Sequence, residues 1–190
     1  MTNPKMDDRA RLAGILREKS YQKRDVTLAS GRKSTFYFDG KQTALHPEGG
    51  FLVGKLLWKA IRESGHRVDA VGGLTLGADP LATAVSIASF TDGHPVPAFI
   101  VRKEPKGHGT GQWVEGRKNI PDGSWVVILE DVVTTGGSAL KAVERVRAEN
   151  LQVSLIAALI DREEGGREAI EAAGLPLISL FRKSEFHTGD

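Results

Sequence analysis

The chain has 190 residues, enough for one domain, and its 40% apolar residues can fill a core. Lys and Arg number 26 against 24 Asp and Glu, a formal net charge of +2 that gives little bulk attraction for nucleic acid, so what matters is where the positive charges cluster. There is no cysteine, which excludes disulfides, thiolate metal sites and cysteine nucleophiles. The opening stretch has no apolar core of signal-peptide type, and no run approaches the ~20 apolar residues of a membrane span, so the expectation is a soluble, cytoplasmic protein with no membrane partner.

Taken in chain order, Leu12, Ile15 and Leu16 among charges predict an amphipathic helix. Residues 25–43 read as a strand, a Ser-Gly-Arg-Lys turn and a second, aromatic strand. Residues 46–65 read as a helix stopped at Gly65. A regular alternation follows. "VDAVGG" (68–73) is a short strand, and 78–90 a helix with Asp79 as N-cap and Pro80 at its first position. "PAFIV" (97–101) and "WVVIL" (125–129) are strands, 138–150 a helix presenting Leu140, Val143 and Val146, 153–161 a strand, 166–174 a helix and 176–181 a last strand. Short, continuously apolar strands between helices predict a mostly parallel twisted α/β sheet covered on both faces. The first 45 residues break the pattern and read as a small flanking subdomain of the same single domain. Parallel sheets bind ligands beyond the carboxyl ends of their strands, which directs attention to the junctions after Val71, Val101 and Leu129.

After Leu129 come Glu130, Asp131, Val132 and Val133, then "TTGGS" opening a helix. Backbone N–H groups of a Gly-containing turn converge at a helix N-terminus, where the macrodipole favours an anion. Thr134, Thr135 and Ser138 add hydroxyls, so the turn suits a phosphate. The two acids would repel a phosphate at close range and are therefore expected to face sugar hydroxyls. Together they describe a ribose 5-phosphate site, although alone the stretch also fits a plain helix start with dipole-favouring acids. It is neither a Walker A loop nor a dinucleotide fingerprint.

After Val101, "VRKEPKGHGTGQWVEG" (101–116) sets Arg102, Lys103, Lys106 and His108 within seven residues, interleaved with glycines and with Pro105 barring a continuous helix. The pattern has neither helix nor strand period. A loop of this composition on the ligand edge could close over a pyrophosphate, neutralising roughly three negative charges and excluding water. A solvated basic loop or a nucleic-acid contact are the plainer readings, though stacking aromatics are lacking.

"VVILEDVVTTGGSA" resembles the phosphoribosyl pyrophosphate signature of type I phosphoribosyltransferases, and "RKEPKGHGTG" resembles the catalytic loop of the orotate phosphoribosyltransferase family. The resemblance spans about residues 25–165. It implies a type I phosphoribosyltransferase fold with a small N-terminal hood over the base site. It implies that Glu130 and Asp131 hold the ribose hydroxyls and that Thr134, Thr135, Gly136, Gly137 and Ser138 cradle the 5-phosphate, with Val132 and Val133 in the same motif. Arg102, Lys103, Lys106 and His108 match pyrophosphate-contacting positions, with Lys103, Lys106 and His108 the catalytic candidates. Tyr37, Phe38, Thr134 and Arg162 match the orotate side. From the residues alone, either ring could simply pack in the core, and Arg162 could be a surface residue in "DREEGGRE".

Two departures stand out: Thr75 and Leu76 replace a Tyr-Lys pair of the better-known bacterial pattern, and Ala29 replaces a lysine, so any pyrophosphate contact at 72–80 must come from backbone N–H groups or Thr75. The resemblance further implies transfer of phosphoribosyl to orotate in pyrimidine synthesis. It also implies substrate-chelated Mg²⁺ without a protein metal cage, and a homodimer whose loop 102–116 serves the partner's site. Two other readings compete: a phosphoribosyltransferase for a purine or a different pyrimidine, and a phosphoribosyl-pyrophosphate-sensing regulator that binds nucleic acid. The second predicts a binding extension or a basic surface, which the sequence lacks.

Overall fold

The apolar spacing translates into a two-faced sheet. The computed structural model describes residues 7–27, 33–105 and 112–186. Helix α1 (Asp8–Ile15) is capped by the Asp7 carboxylate and buries Leu12 and Ile15, then runs into a π-turn at Leu16–Ser20. Strands β1 (Tyr21–Thr27) and β2 (Lys33–Phe38) pair antiparallel, with Tyr21 opposite Phe38. The hairpin therefore starts four residues before Asp25, where the sequence reading began it. The connecting turn, with Ala29, lies outside the described residues. The second strand does not run on to Thr43. Asp39 accepts from the Lys41 N–H and caps a short helix, α2 (Gly40–Ala44).

Helix α3 (Pro47–Glu63) has Pro47 in its first turn and His46 as its cap, the imidazole Nδ1 accepting from the Gly49 N–H. Gly65, at φ +72°, follows its end as expected. Strand β3 (Ala70–Leu74) leads to α4 (Asp79–Thr91), which starts one residue off the sequence reading. Ala78 is the N-cap, and its methyl group can cap nothing; the Asp79 carboxylate accepts from the Thr75 hydroxyl at 2.7 Å. Next come β4 (Ala98–Val101), β5 (Val114–Glu115), β6 (Trp125–Val133), α5 (Gly137–Ala148), β7 (Gln152–Asp161), α6 (Gly166–Ala172) and β8 (Leu177–Arg182). β5 was read as loop. A two-residue strand has no period to reveal, and only its antiparallel pairing with Ile100 and Val101 defines it.

The six strands run in the order β5-β4-β3-β6-β7-β8, all parallel except β5. Period-two alternation assigns the faces. Val127 and Leu129 of β6, with Leu155, Ala157 and Leu159 of β7, pack beneath α1, α3 and α4. Val126, Ile128, Ile156 and Ala158 pack beneath α5 and α6. Gly72 and Gly73 of β3 are glycines because their neighbours leave no room. A Cβ there would lie 2.2 Å from the Phe99 carbonyl oxygen and 2.1 Å from that of Leu129. Among the described residues, no helix is long and apolar enough to cross a membrane.

Candidate active site

The sheet delivers Glu130 and Asp131 to its carboxyl edge near the end of β6, with both side chains almost fully buried. Glu130 points to the α5 face, where with residues 132–139 it lines a hollow of about 70 Å³. Asp131 lies toward α2 and the loop before α4, its carboxyl group still within hydrogen-bond reach of that of Glu130. The sequence reading turned both acids toward sugar hydroxyls and away from a phosphate; Glu130 also borders the hollow at the start of α5.

In that position burial favours the neutral form of the carboxyl group. Burial, then the charge and hydrogen bond of Asp131, push the Glu130 pKa from 4.5 up to about 8. The rest of the hollow is backbone. Gly136 adopts φ +80° and turns the chain into α5, which has no side-chain cap. The N–H groups of Thr134 to Ser138 find no acceptor among the described residues. Unsatisfied donors at a helix N-terminus around a small hollow form an anion cradle.

Asp131 sits against two glycines. A Cβ on Gly77 would be 2.5 Å from Asp131 Oδ1, and one on Gly40 would be 3.1 Å from Asp131 Cβ. Lys41 reaches in from α2, its Nζ 2.7 Å from Asp39 Oδ1 and 3.8 Å from Asp131 Oδ2. The Asp39 hydrogen bond, reinforced by Asp131, raises the Lys41 pKa against the opposing effect of burial. Burial pushes Asp39 upward, but its bonds to Lys41 and Gln42 prevail and leave it below the usual carboxylate range. Sequence reasoning missed Lys41; one lysine after a glycine carries no signal until α2 folds it back.

In the loop before α4, the Thr75 hydroxyl donates to Asp79 and its N–H to the Val101 carbonyl at 2.9 Å. Thr75 is thus withdrawn as a pyrophosphate donor. The N–H groups of Leu76 and Gly77 remain without an acceptor among the described residues.

Arg102 follows β4, its Nη1 donating to Glu115 Oε1 at 2.9 Å, and Lys103 beside it is exposed. Lys106 and His108 lie outside the described residues. On the far side of β6, Arg162 is buried rather than on the surface, only 6% exposed. Its N–H donates to the Val133 carbonyl, joining the ends of β7 and β6, and its Nη2 donates to Glu164 Oε1 at 3.0 Å. Lys183 donates to the same oxygen at 3.3 Å. Glu164 and Lys183 had also escaped the sequence reading; Lys183 is 21 residues away and arrives only through β8. Phe38 is buried against Phe186, ring centroids 6.1 Å apart, while Tyr37 is half-buried, so the pair divides between core and site edge.

This arrangement has clear relatives. Residues 40–173 match the phosphoribosyl transferase domain model. An orotate phosphoribosyltransferase of Rhodopseudomonas palustris is 50% identical over 184 residues, covering 96% of this chain and 97% of the relative. A crystal structure of the Mycobacterium tuberculosis orotate phosphoribosyltransferase superposes with a TM-score of 0.81 at 38% identity, covering 95% of this chain and 99% of the other. The same Mycobacterium enzyme in complex with 5-phospho-α-D-ribosyl 1-diphosphate superposes at 0.76, with 36% identity over 95% and 99% of the two chains. Half of its residues being identical to such an enzyme, and its fold matching another, along almost the whole chain, this protein belongs to the orotate phosphoribosyltransferase family of type I phosphoribosyltransferases.

Proposed function

We propose that the site transfers the phosphoribosyl group of phosphoribosyl pyrophosphate to orotate, giving orotidine 5-phosphate and pyrophosphate in pyrimidine synthesis. The observation that carries this reading is the hollow at the start of α5, bordered by Glu130, where the N–H donors from Thr134 to Ser138 find no acceptor among the described residues. The cradle takes the 5-phosphate. Glu130 and Asp131, neighbours near the end of β6, take the ribose hydroxyls. Leu76 and Gly77 offer N–H groups to the pyrophosphate, and Lys103, with Arg102, Lys106 and His108, covers it. The bond from ribose C1 to pyrophosphate breaks as the base nitrogen attacks from the opposite face, and no protein nucleophile is required. Catalysis is then positioning plus stabilisation of the leaving charge.

Arg162 receives the orotate carboxylate, a fit of planar guanidinium to planar anion. Its burial and its hold on the Glu164 carboxylate support that role, because the group is already oriented by an anion. Tyr37, Phe38 and Thr134 border the base, under a hood formed by about the first 45 residues.

Mg²⁺ belongs to this reading as a substrate-borne ion. The donors fit it: the Asp131 carboxylate beside a sugar diphosphate suits an ion that keeps most of its ligands from substrate and water. When bound, it neutralises charge on the pyrophosphate.

The enzyme works as a homodimer in the cytoplasm, with loop 102–116 reaching the partner's site. Leu45, Phe51 and Ile87, all largely exposed around the groove between α3 and α4, support an interface there.

The test uses two variants. Lys103→Ala should cut turnover by about 10²–10³ while leaving thermal stability near that of the parent. Arg162→Gln should chiefly raise the orotate KM, as loss of a bidentate charged contact does. Parental turnover in the first, or an unchanged orotate KM in the second, would remove the residue from its role.

A further inference from the structure

Helix α5 turns its charged residues outward with one exception. Lys141, Glu144 and Arg147 are exposed, whereas Arg145 is buried to 7% exposure. A buried cation is costly unless matched, and Arg145 has no carboxylate partner among the described residues. Its partners are instead the two ends of the basic loop. Nη1 donates to the carbonyl of Arg102 and Nη2 to the carbonyl of Lys103, at 2.9 Å in the second case. The guanidinium lies over the Trp113 ring, 4.2 Å from its centroid. Just past the end of α5, at its C-cap, Glu149 Oε1 accepts the Trp113 backbone N–H at 3.0 Å. The Arg102 N–H donates to the Trp113 carbonyl at 2.9 Å and closes the neck between the outgoing and returning strands.

α5 thus begins at the anion cradle of Gly136 and Gly137 and ends on the neck of the loop. Eight residues separate Gly137 from Arg145, about 12 Å of rigid helix at 1.5 Å per residue. A forked donor on two successive carbonyls fixes the direction of the backbone between them, which a point charge does not do. The side chain of Lys103 leaves from that clamped peptide.

We propose that Arg145 is a positioning residue for phosphoribosyl transfer: it clamps the Arg102–Lys103 backbone against Trp113 and sets Lys103 at a fixed distance from the 5-phosphate cradle. The proposal rests on the role given to Lys103 above. Arg145 touches no substrate and acts through the loop neck.

A double-mutant cycle in steady-state kinetics tests it. Arg145→Gln should lower kcat about tenfold with the orotate KM within about twofold of the parent, and in a Lys103→Ala background it should lower kcat by no more than about twofold. A residue that only holds the fold together would give the same factor in both backgrounds, and that additive result would overturn the proposal. Arg145→Lys keeps the charge and loses the fork. It is expected to follow Arg145→Gln in the same cycle and carries the test alone if the glutamine variant does not fold. A parental rate in Arg145→Lys would contradict the clamp. If Lys103→Ala itself turned over at the parental rate, the role of Lys103 would fall instead, so the two failures are separable.

Discussion

At Glu130 burial favours the protonated carboxyl group and ties stability to pH. The folded carboxyl binds its proton up to about pH 8, whereas an unfolded glutamate releases it near 4.5. The folded state therefore holds more protons between these values, and by linkage its stability is fullest below 4.5 and declines as pH rises through 8. The Tm of the ligand-free protein should fall between pH 6 and 9, and Glu130→Gln should flatten that fall. Equal slopes in both proteins would mean that Glu130 is already ionised at neutral pH. The neighbouring Asp131 depends on the absence of a methyl group at Gly77. Gly77→Ala must displace its carboxylate, and kcat/KM for phosphoribosyl pyrophosphate should drop about tenfold or more, since misplacement by an ångström can cost 10² in rate. An unchanged kcat/KM would release Asp131 from the ribose. These residue types were legible in sequence; their directions were not. "ED" at a strand end indicates two acids, but only the folded chain shows that one lies by α5 and the other by α2. Lys41, Arg145, Glu164 and Lys183 were silent, because each draws its meaning from a partner brought near by folding.

Among the elements, the unit of β6, the Thr-Thr-Gly-Gly-Ser turn and α5 does most to organise the site. Its pattern was readable because each part has a local cause: an apolar run for the strand, glycines for the turn and a 3.6-residue period for the helix. Gly136 is the hinge of that unit, with φ +80° and a Cβ position 3.0 Å from the Gly166 carbonyl oxygen. Gly136→Ala is expected to destabilise the fold by about 1–2 kcal/mol, the usual cost of a left-handed alanine, and to weaken binding of ribose 5-phosphate in calorimetry. Parental affinity would detach the turn from the phosphate. Elements set by tertiary contact were the ones misread. The β5 pairing comes from β4, the Asp79 carboxylate at the start of α4 accepts from Thr75, and α2 forms where Asp39 can cap it.

Over the whole molecule, alternating short strands and helices fixed the class of fold, and two specific motifs fixed the family. The exposed apolar side chains of α3 and α4 have no such signature, because their spacing is that of any helix facing a core. Light scattering should give a mass near twice the 20.5 kDa of one chain, and Phe51→Asp should shift it toward one chain. A parental monomer at micromolar concentration would contradict the dimer. The central claim is the transfer reaction itself. Following orotate absorbance with purified protein, phosphoribosyl pyrophosphate and Mg²⁺ addresses it most directly. Orotate should be consumed only when all three are present. No loss of orotate, with turnover of adenine or hypoxanthine under the same conditions, would contradict the account.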